Sequence, residues 1–431
     1  MSLKRVGAVL FASAVGLSLA ATVPAQGGTS GGSGPSPGVK RVTFNGQKVL
    51  QSQAKLLKVI DGDTMRVDIK GDNRGPVVVR NAGMNTFEKG DCHYESATRT
   101  LKKLSSRQVI LRSATNAQKV NKNSGRNRLQ RFVFTKKGVD LQEQMIARGL
   151  ALPYNFSQET MGQALYSQRA QEAAARGVGM FDADACKPGP MQEAALDLVV
   201  HYNASGNDRT NLNGKFVRIV NNSAATVDLS GWYVLTGRQR FYFPGGTTIT
   251  PGSNIKLHMG NGTNTATDLY WGGKEIRLPV PGNSRYQGIG VLLMDPDGDA
   301  RVWSFYPCRV DCGHPAQGAF NVAIVHNPPG NPDGPNDETV SFTNVSGQRV
   351  DMTYLVAEVR NETYEFQPGV YVDPGETLVM RMGKGAPDRL THYLGMDSKY
   401  LPGPVPGGLI ELRDDRAVQL ACYAWGKKWK C

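Results

Sequence analysis

One order of short motifs occurs twice in the C-terminal half, at a shift of about 120 residues, and this constrains the fold more than any other feature. Phe216-Val217-Arg218-Ile219-Val220-Asn221 and Val227-Asp228-Leu229 return as Thr339-Val340-Ser341-Phe342-Thr343-Asn344 and Val350-Asp351-Met352. Tyr242-Phe243-Pro244-Gly245 with Ile249-Thr250-Pro251-Gly252 returns as Phe366-Gln367-Pro368-Gly369 with Val372-Asp373-Pro374-Gly375. Asp268-Leu269-Tyr270-Trp271-Gly272 and Gly290-Val291-Leu292-Leu293-Met294 return as Thr391-His392-Tyr393-Leu394-Gly395 and Gly408-Leu409-Ile410-Glu411-Leu412. A duplicated unit of this length folds around its own core, so this half is two units. Short apolar runs broken by Pro-Gly turns make each unit a β-sandwich, and no good helix is visible after residue 190. The 50 Gly and 24 Pro of the 431 residues fit many turns. The expected units are 191–312 and 313–431.

The N-terminal half reads differently. Met1 to Arg5 is a short basic start, Val6 to Val23 is apolar, and Val23-Pro24-Ala25 supplies small residues for cleavage. This is the pattern of a signal peptide over 1–25, the alternative being an uncleaved membrane anchor. No later apolar run approaches membrane length, so a secreted, extracellular protein is expected. Residues 26–48 begin as Gly, Ser and Pro and are expected to be a flexible linker. From 49 to 187 strands come first: Leu56–Ile60, then the tight turn Asp61-Gly62-Asp63, then Met65–Ile69, Pro76–Arg80, Val109–Leu111 and Arg131–Phe134. Helices are expected at Glu95–Leu104, at Leu141–Arg148 with Gly149 as its stop, and at Gln163–Arg176 with Gly177 as its stop. Strands followed by helices make an α+β domain, consistent with a small barrel carrying helices.

Six cysteines fit an oxidising compartment. The expected pairs are Cys92–Cys186, Cys308–Cys312 and Cys422–Cys431, with cross-pairing among the last four as the alternative. None has zinc-finger spacing to a histidine. Scattered histidines and the absence of a nucleophile motif argue against zinc hydrolases and serine or cysteine triads. Asp295-Pro296-Asp297-Gly298-Asp299 lacks the rest of an EF-hand and reads as a hairpin turn. Trp232 and Trp271 read as packing residues.

The formal charge is +13, which points to an anionic partner without choosing among nucleic acid, membrane surface and acidic polysaccharide. Arg99 to Lys137 holds 12 Lys or Arg, among them Lys122, Arg126 and Arg128, and no Asp or Glu. Such a one-signed stretch suits a phosphate backbone. Cleaving a phosphodiester requires a group that activates water, a grip on the phosphate, and positive charge at the developing pentacoordinate phosphorus. Asp61 to Glu88 supplies those types. Asp63 follows a turn that can project its carboxylate, and Asn85 and Thr86 offer carbonyl oxygens for a hard cation. Glu88 is within reach of the same ion through water, and the planar fork of Arg80 suits phosphate oxygens.

Val59-Ile60-Asp61-Gly62-Asp63-Thr64, Val79-Arg80 through Asn85-Thr86-Phe87-Glu88, Arg128-Leu129-Gln130-Arg131-Phe132-Val133, Met145 to Ala151 and Ala170 to Phe181 together resemble the staphylococcal-nuclease-like (thermonuclease) family, over roughly residues 50–187. The resemblance implies an OB-type five-stranded barrel with packed helices. It implies that Asp63, Asn85 and the Thr86 carbonyl bind Ca2+, that Glu88 positions or deprotonates water, and that Arg80 and Arg128 grip the scissile phosphate. Arg126 is the alternative to Arg128. Tyr154, with Arg126 and Lys122, is a candidate substrate contact. The implied reaction breaks the P–O5′ bond of DNA or RNA. Asn85 stands where many members have Asp, which lowers the expected calcium affinity, and Phe87 replaces a usual Pro, which is expected to loosen the loop that aims Glu88.

Residues 213–272 resemble the lamin-tail domain family, an immunoglobulin-like sandwich, and the second repeat resembles it more faintly. That resemblance implies binding or positioning of nucleic acid, cell envelope or protein. The expected architecture is multidomain and mainly β, an OB-type barrel with helices followed by two immunoglobulin-like β-sandwiches. A secreted calcium-dependent nuclease is expected, with a catalytically silent nucleic-acid-binding or envelope-associated protein as the competing class.

Overall fold

The computed structural model describes residues 39–73, 75–114, 128–154, 161–188, 194–274, 277–281, 288–326 and 334–431. The signal-peptide expectation, Lys122 and Arg126 lie outside the described residues. The N-terminal unit contains β1 (Val39–Phe44), β2 (Gln47–Asp61), β3 (Thr64–Ile69), β4 (Val77–Asn81), β5 (Gly83–Asn85), α1 (Tyr94–Leu104), β6 (Gln108–Ser113), β7 (Arg128–Thr135), α2 (Leu141–Ile146), β8 (Leu152–Tyr154) and α3 (Gln163–Ala175).

Strands β2-β3-β4-β7-β6 are hydrogen-bonded in that order, and β6 returns to β2, closing a five-stranded barrel. The long strand β2 makes closure possible: its first half pairs with β6 and its second with β3, with register shifts at Leu56/Lys58 and Val59/Asp61 that let it bend. The linker expectation for 26–48 needs correction over its last ten residues. Residues 39–44 form β1, paired with β2 across the Asn45-Gly46 turn, and Phe44 packs edge-on against Phe134 at 5.3 Å. The β-favouring Val39, Val42, Thr43 and Phe44 suit a strand despite the Gly-rich stretch before them, with Val42 and Phe44 on one face. Helix α2 begins where Asp140 accepts the Glu143 N–H at 3.0 Å, a local cap that any Asp-x-x-Glu start offers.

The first sandwich comprises β9 (Leu196–His201), β10 (Phe216–Asn221), β11 (Val227–Asp228), β12 (Tyr233–Thr236), β13 (Gln239–Tyr242), β14 (Thr248–Ile249), β15 (Asn254–His258), β16 (Asp268–Tyr270), β17 (Ile289–Met294) and β18 (Ala300–Tyr306). The second comprises β19 (Phe320–Val325), β20 (Thr339–Asn344), β21 (Val350–Asp351), β22 (Val356–Val359), β23 (Glu362–Glu365), β24 (Tyr371–Val372), β25 (Thr377–Arg381), β26 (Thr391–Tyr393), β27 (Gly408–Arg413) and β28 (Gln419–Trp425). The sheets are β16-β15-β10-β9 and β13-β12-β17-β18 in one, and β26-β25-β20-β19 and β23-β22-β27-β28 in the other, strand for strand the same. The duplication extends to single bonds. Buried Asn221 donates to the carbonyls of Ala225 and Ile249, both at 2.8 Å, and accepts the Ser223 N–H. Buried Asn344 donates to Gln348 and Val372 at 2.8 and 2.9 Å and accepts the Ser346 N–H. The disulfides are Cys92–Cys186, Cys308–Cys312 and Cys422–Cys431, the expected pairs and not the cross-paired alternative.

The barrel and the first sandwich share a core. Along β12 and β17, Val234, Val291 and Leu293 face the sandwich interior, whereas Tyr233, Leu235, Leu292 and Met294 join the barrel's apolar cluster. Phe181 of the barrel meets Trp303 and Phe305 at ring distances of 5.1 and 6.0 Å. The uninterrupted apolar run Val291-Leu292-Leu293-Met294 is the sequence trace of this burial on both faces, since a sheet with one wet face alternates. The two sandwiches are clamped by buried Arg218, bonded to both carboxylate oxygens of Glu365 at 2.8 and 2.6 Å.

Candidate nuclease site at the barrel–sandwich junction

The turn between β2 and β3 consists of Gly62 and Asp63. A Cβ on Gly62 would lie 2.8 Å from Ala97 of α1 and 2.9 Å from Thr86 Oγ1, so the turn is pressed against both and only glycine fits. This aims buried Asp63 at the segment after β5. Its Oδ2 accepts the Thr86 N–H at 3.0 Å and the Thr86 hydroxyl at 2.9 Å, and Oδ1 accepts the Thr64 hydroxyl at 3.0 Å. Arg80, on β4, forms an ion pair with Asp63 and donates through Nη2 to Asn85 Oδ1 at 2.7 Å. Asp63, Arg80, Asn85 and Thr86, separate in the sequence, are thus joined in one bonded cluster.

Arg128 opens β7, whose parallel register sets it opposite Val78. Val78 and Arg80 share one face of β4, so the two arginines are diagonal neighbours on one surface while Val79 and Leu129 fill the core. Burial pushes the Arg80 guanidinium down to about 9; Asp61 and Glu88 oppose the shift, and Arg128 and Arg238 add to it. It is therefore protonated at neutral pH.

Glu88 is exposed. Its backbone N–H donates to Asp91 Oδ2 at 2.7 Å. Phe87, in place of the family's usual Pro, turns inward from this loop. Its ring is buried and lies 5.0 Å from the ring of His93, which makes it an anchor on the apolar side of the segment. The cleft beside Glu88 has a barrel side made of residues 85–88 and Leu152, and a sandwich side made of Leu235, Gly237, Arg238 and Arg240. Tyr154, on β8, is half-buried behind it, and one ring edge packs under Gly237 of the β12–β13 hairpin, where a Cβ would come within 2.8 Å.

The sequence missed Asp91, Arg238 and Arg240. Arg240 forms a bidentate ion pair with Asp91 across the domain junction, Nη1 to Oδ1 at 2.8 Å. Nothing in the local sequence marks these residues. The acidic run after Met294 is a turn, as its spacing suggested: Asp295 Oδ1 accepts the N–H groups of Asp297, Gly298 and Asp299 at 2.8–3.0 Å. It also docks the domains, because Asp299 accepts the Cys186 N–H at 3.0 Å and lies 3.4 Å from His93. Cys92, His93 and Cys186 cluster like metal ligands, but both sulfurs are joined in the disulfide and offer no thiolate.

Fold and junction define a class: an OB-type barrel carrying helices, fused through a common core to a first immunoglobulin-like sandwich that is followed by a second with its own core. Within it, residues 194–306 match the family model of the Lamin Tail Domain. No curated protein matches the chain.

Proposed function

We propose that the chain is a secreted, calcium-dependent nuclease that hydrolyses phosphodiester bonds of DNA or RNA. The carrying observation is the bonded cluster of Asp63, Arg80, Asn85 and Thr86 at one end of the barrel, with Glu88 exposed beside it. The resemblance to the thermonuclease family over residues 50–187 supports the same reading. So does the basic stretch from Arg99 to Lys137.

Asp63 carboxylate, Asn85 amide oxygen and Thr86 carbonyl form an all-oxygen donor set, the kind a hard cation such as Ca2+ takes. Arg80 pairs with Asp63 and Asn85 here, so Ca2+ would have to take over both oxygens and free the guanidinium to face the phosphate. With one carboxylate among the three, affinity is expected in the weak range of extracellular calcium sites. When bound, calcium supplies charge to the phosphate oxygens. Arg80 and Arg128 hold the phosphate through planar forks from one barrel face. Glu88 takes a proton from the attacking water, and its exposure leaves room for that water. The three disulfides fit an oxidising compartment, and no helix among the described residues is long and apolar enough to cross a membrane. The two C-terminal sandwiches are candidates for cell-envelope contact.

Purified protein is expected to degrade single-stranded DNA when calcium is added and to stop with chelator. Glu88→Gln is expected to lose roughly 10²- to 10⁴-fold in rate while still binding DNA. Full activity in that variant would remove the role given to Glu88. One observation favours a second reading: the Arg80 guanidinium engages two of the three proposed calcium ligands. A silent nucleic-acid-binding protein predicts salt-sensitive DNA binding with no cleavage at any calcium concentration.

A further inference from the structure

The hairpin joining β12 and β13 belongs to the first sandwich, yet its tip forms a wall of the cleft that holds Glu88. Its two turn residues are Gly237 and Arg238, between the paired Thr236 and Gln239. Gly237 has φ +60°, as the first central residue of a type II′ turn does, and lies so close to the Tyr154 ring that no Cβ fits. The tip is therefore seated on the barrel. Arg238, next in the chain, is exposed, with its guanidinium 5.8 Å from the centroid of the Tyr154 ring. No described carboxylate pairs with it, while its neighbour Arg240 is committed to Asp91.

We propose that Arg238 binds a phosphate flanking the scissile one, so that the sandwich completes the substrate site and the enzyme's substrate is a polynucleotide strand of several nucleotides. This rests on the nuclease reading above. Arg80 and Arg128 provide for one phosphate from the barrel side, whereas Arg238 faces the same cleft from across the domain junction. A polyanion with regularly spaced phosphates engages both sides at once; a substrate with a single phosphodiester engages only one. The cleft itself is mixed in chemistry: Leu152 and Leu235 give an apolar floor, and Glu88 and Arg238 a charged rim. That mixture fits a sugar and base lying between two phosphates.

The test compares the full-length chain with Arg238→Ala and Arg238→Glu on two substrates, an eight-nucleotide DNA strand and the p-nitrophenyl ester of thymidine 5′-phosphate, over a range of salt. Arg238→Ala is expected to raise KM for the strand by about tenfold and to reduce the slope of log(kcat/KM) against log[salt] by about one. Its loss on the single-diester substrate is expected to be much smaller, and Arg238→Glu is expected to widen the gap. Lys384→Ala, a distant charge removal on the second sandwich, is the control. Unchanged thermal midpoints establish that the exposed tip tolerates the substitutions. Equal losses on the two substrates, or no loss on the strand, would overturn the proposal and leave the nuclease reading standing. No calcium-dependent turnover of either substrate by the unmodified chain would overturn the nuclease reading, and this proposal with it.

Discussion

Arg240 of the first sandwich grips Asp91 of the barrel with both carboxylate oxygens, and one of those oxygens also accepts the backbone N–H of Glu88. The lamin-tail-like domain therefore bears directly on the loop that carries the proposed base. The Arg240 guanidinium is the main favourable influence that holds the Asp91 carboxyl below its usual range, against the opposing effect of burial. Arg240→Ala is expected to lower kcat by about 10- to 100-fold with a much smaller change in KM, because Glu88 loses its aim rather than its charge. Arg240→Lys restores one contact but not the fork and should recover only part of the rate. Steady-state kinetics of both variants check this; a pure KM effect would count against it.

In the proposed nuclease, Asn85 is the uncharged member of the calcium donor set. Asn85→Asp adds a second carboxylate to the donor set and is expected to lower the half-saturating calcium concentration by about tenfold, the effect of roughly 1.4 kcal/mol of added attraction. The measurement is a calcium titration of cleavage rate. An unchanged midpoint would mean that Asn85 is not a ligand.

Cutting the chain after residue 188 should not release an intact barrel. Phe181 and its neighbours would lose Tyr233, Leu235, Leu292, Met294 and Phe305, which complete the same apolar cluster. The fragment is expected to bind hydrophobic dyes and to lack a cooperative thermal transition, whereas the intact chain shows one. Calorimetry and dye fluorescence of the two distinguish these outcomes.

Asp415 is half-buried between the sandwiches, bonded by the Ser304 hydroxyl at 3.0 Å and the Val200 N–H at 3.4 Å. Burial pushes its carboxyl up to about 6, with Asp414 adding to the shift. A raised carboxyl binds its proton more tightly folded than unfolded, so its contribution to stability is greatest below pH 4 and falls as pH rises from about 4 to 6. Asp415→Asn keeps an acceptor without the charge. It is expected to stabilise the protein above pH 6, by no more than about 3 kcal/mol, with the gain shrinking as pH falls through that window. Thermal midpoints at pH 4.5 and 7.5 test the sign.

The Cys92–Cys186 bridge closes a loop of sequence separation 94 beside the Asp299 docking contact. Replacing both cysteines by serine is expected to cost about 4 kcal/mol in denaturant unfolding, mostly through a freer unfolded chain.

Local chemistry made much of this legible in the sequence. Asp61-Gly62-Asp63 marked a tight turn, Gly149 and Gly177 marked helix ends, and alternation marked a barrel strand such as Met65–Ile69. The repeated motifs marked the duplicated sandwich down to Asn221 and Asn344. Residues 39–44 carry β-favouring Val, Thr and Phe without a clean alternation, and the Gly-rich stretch before them obscured the strand. The packing of Phe87 against His93 was not legible, because a bulky residue in place of proline says nothing of which distant ring will meet it.

By itself the sequence determined the elements, the two-copy architecture and the residue types gathered between Asp61 and Glu88. These follow from contacts a few residues apart or from patterns with a fixed period. The tertiary structure alone decided that a hairpin 149 residues from Asp91 would hold the Glu88 loop and set Arg238 at the cleft. No periodicity records such a meeting. It arises because β12 and β17 bury both faces, one in their own sandwich and one in the barrel, and that shared core fixes how the two domains lie.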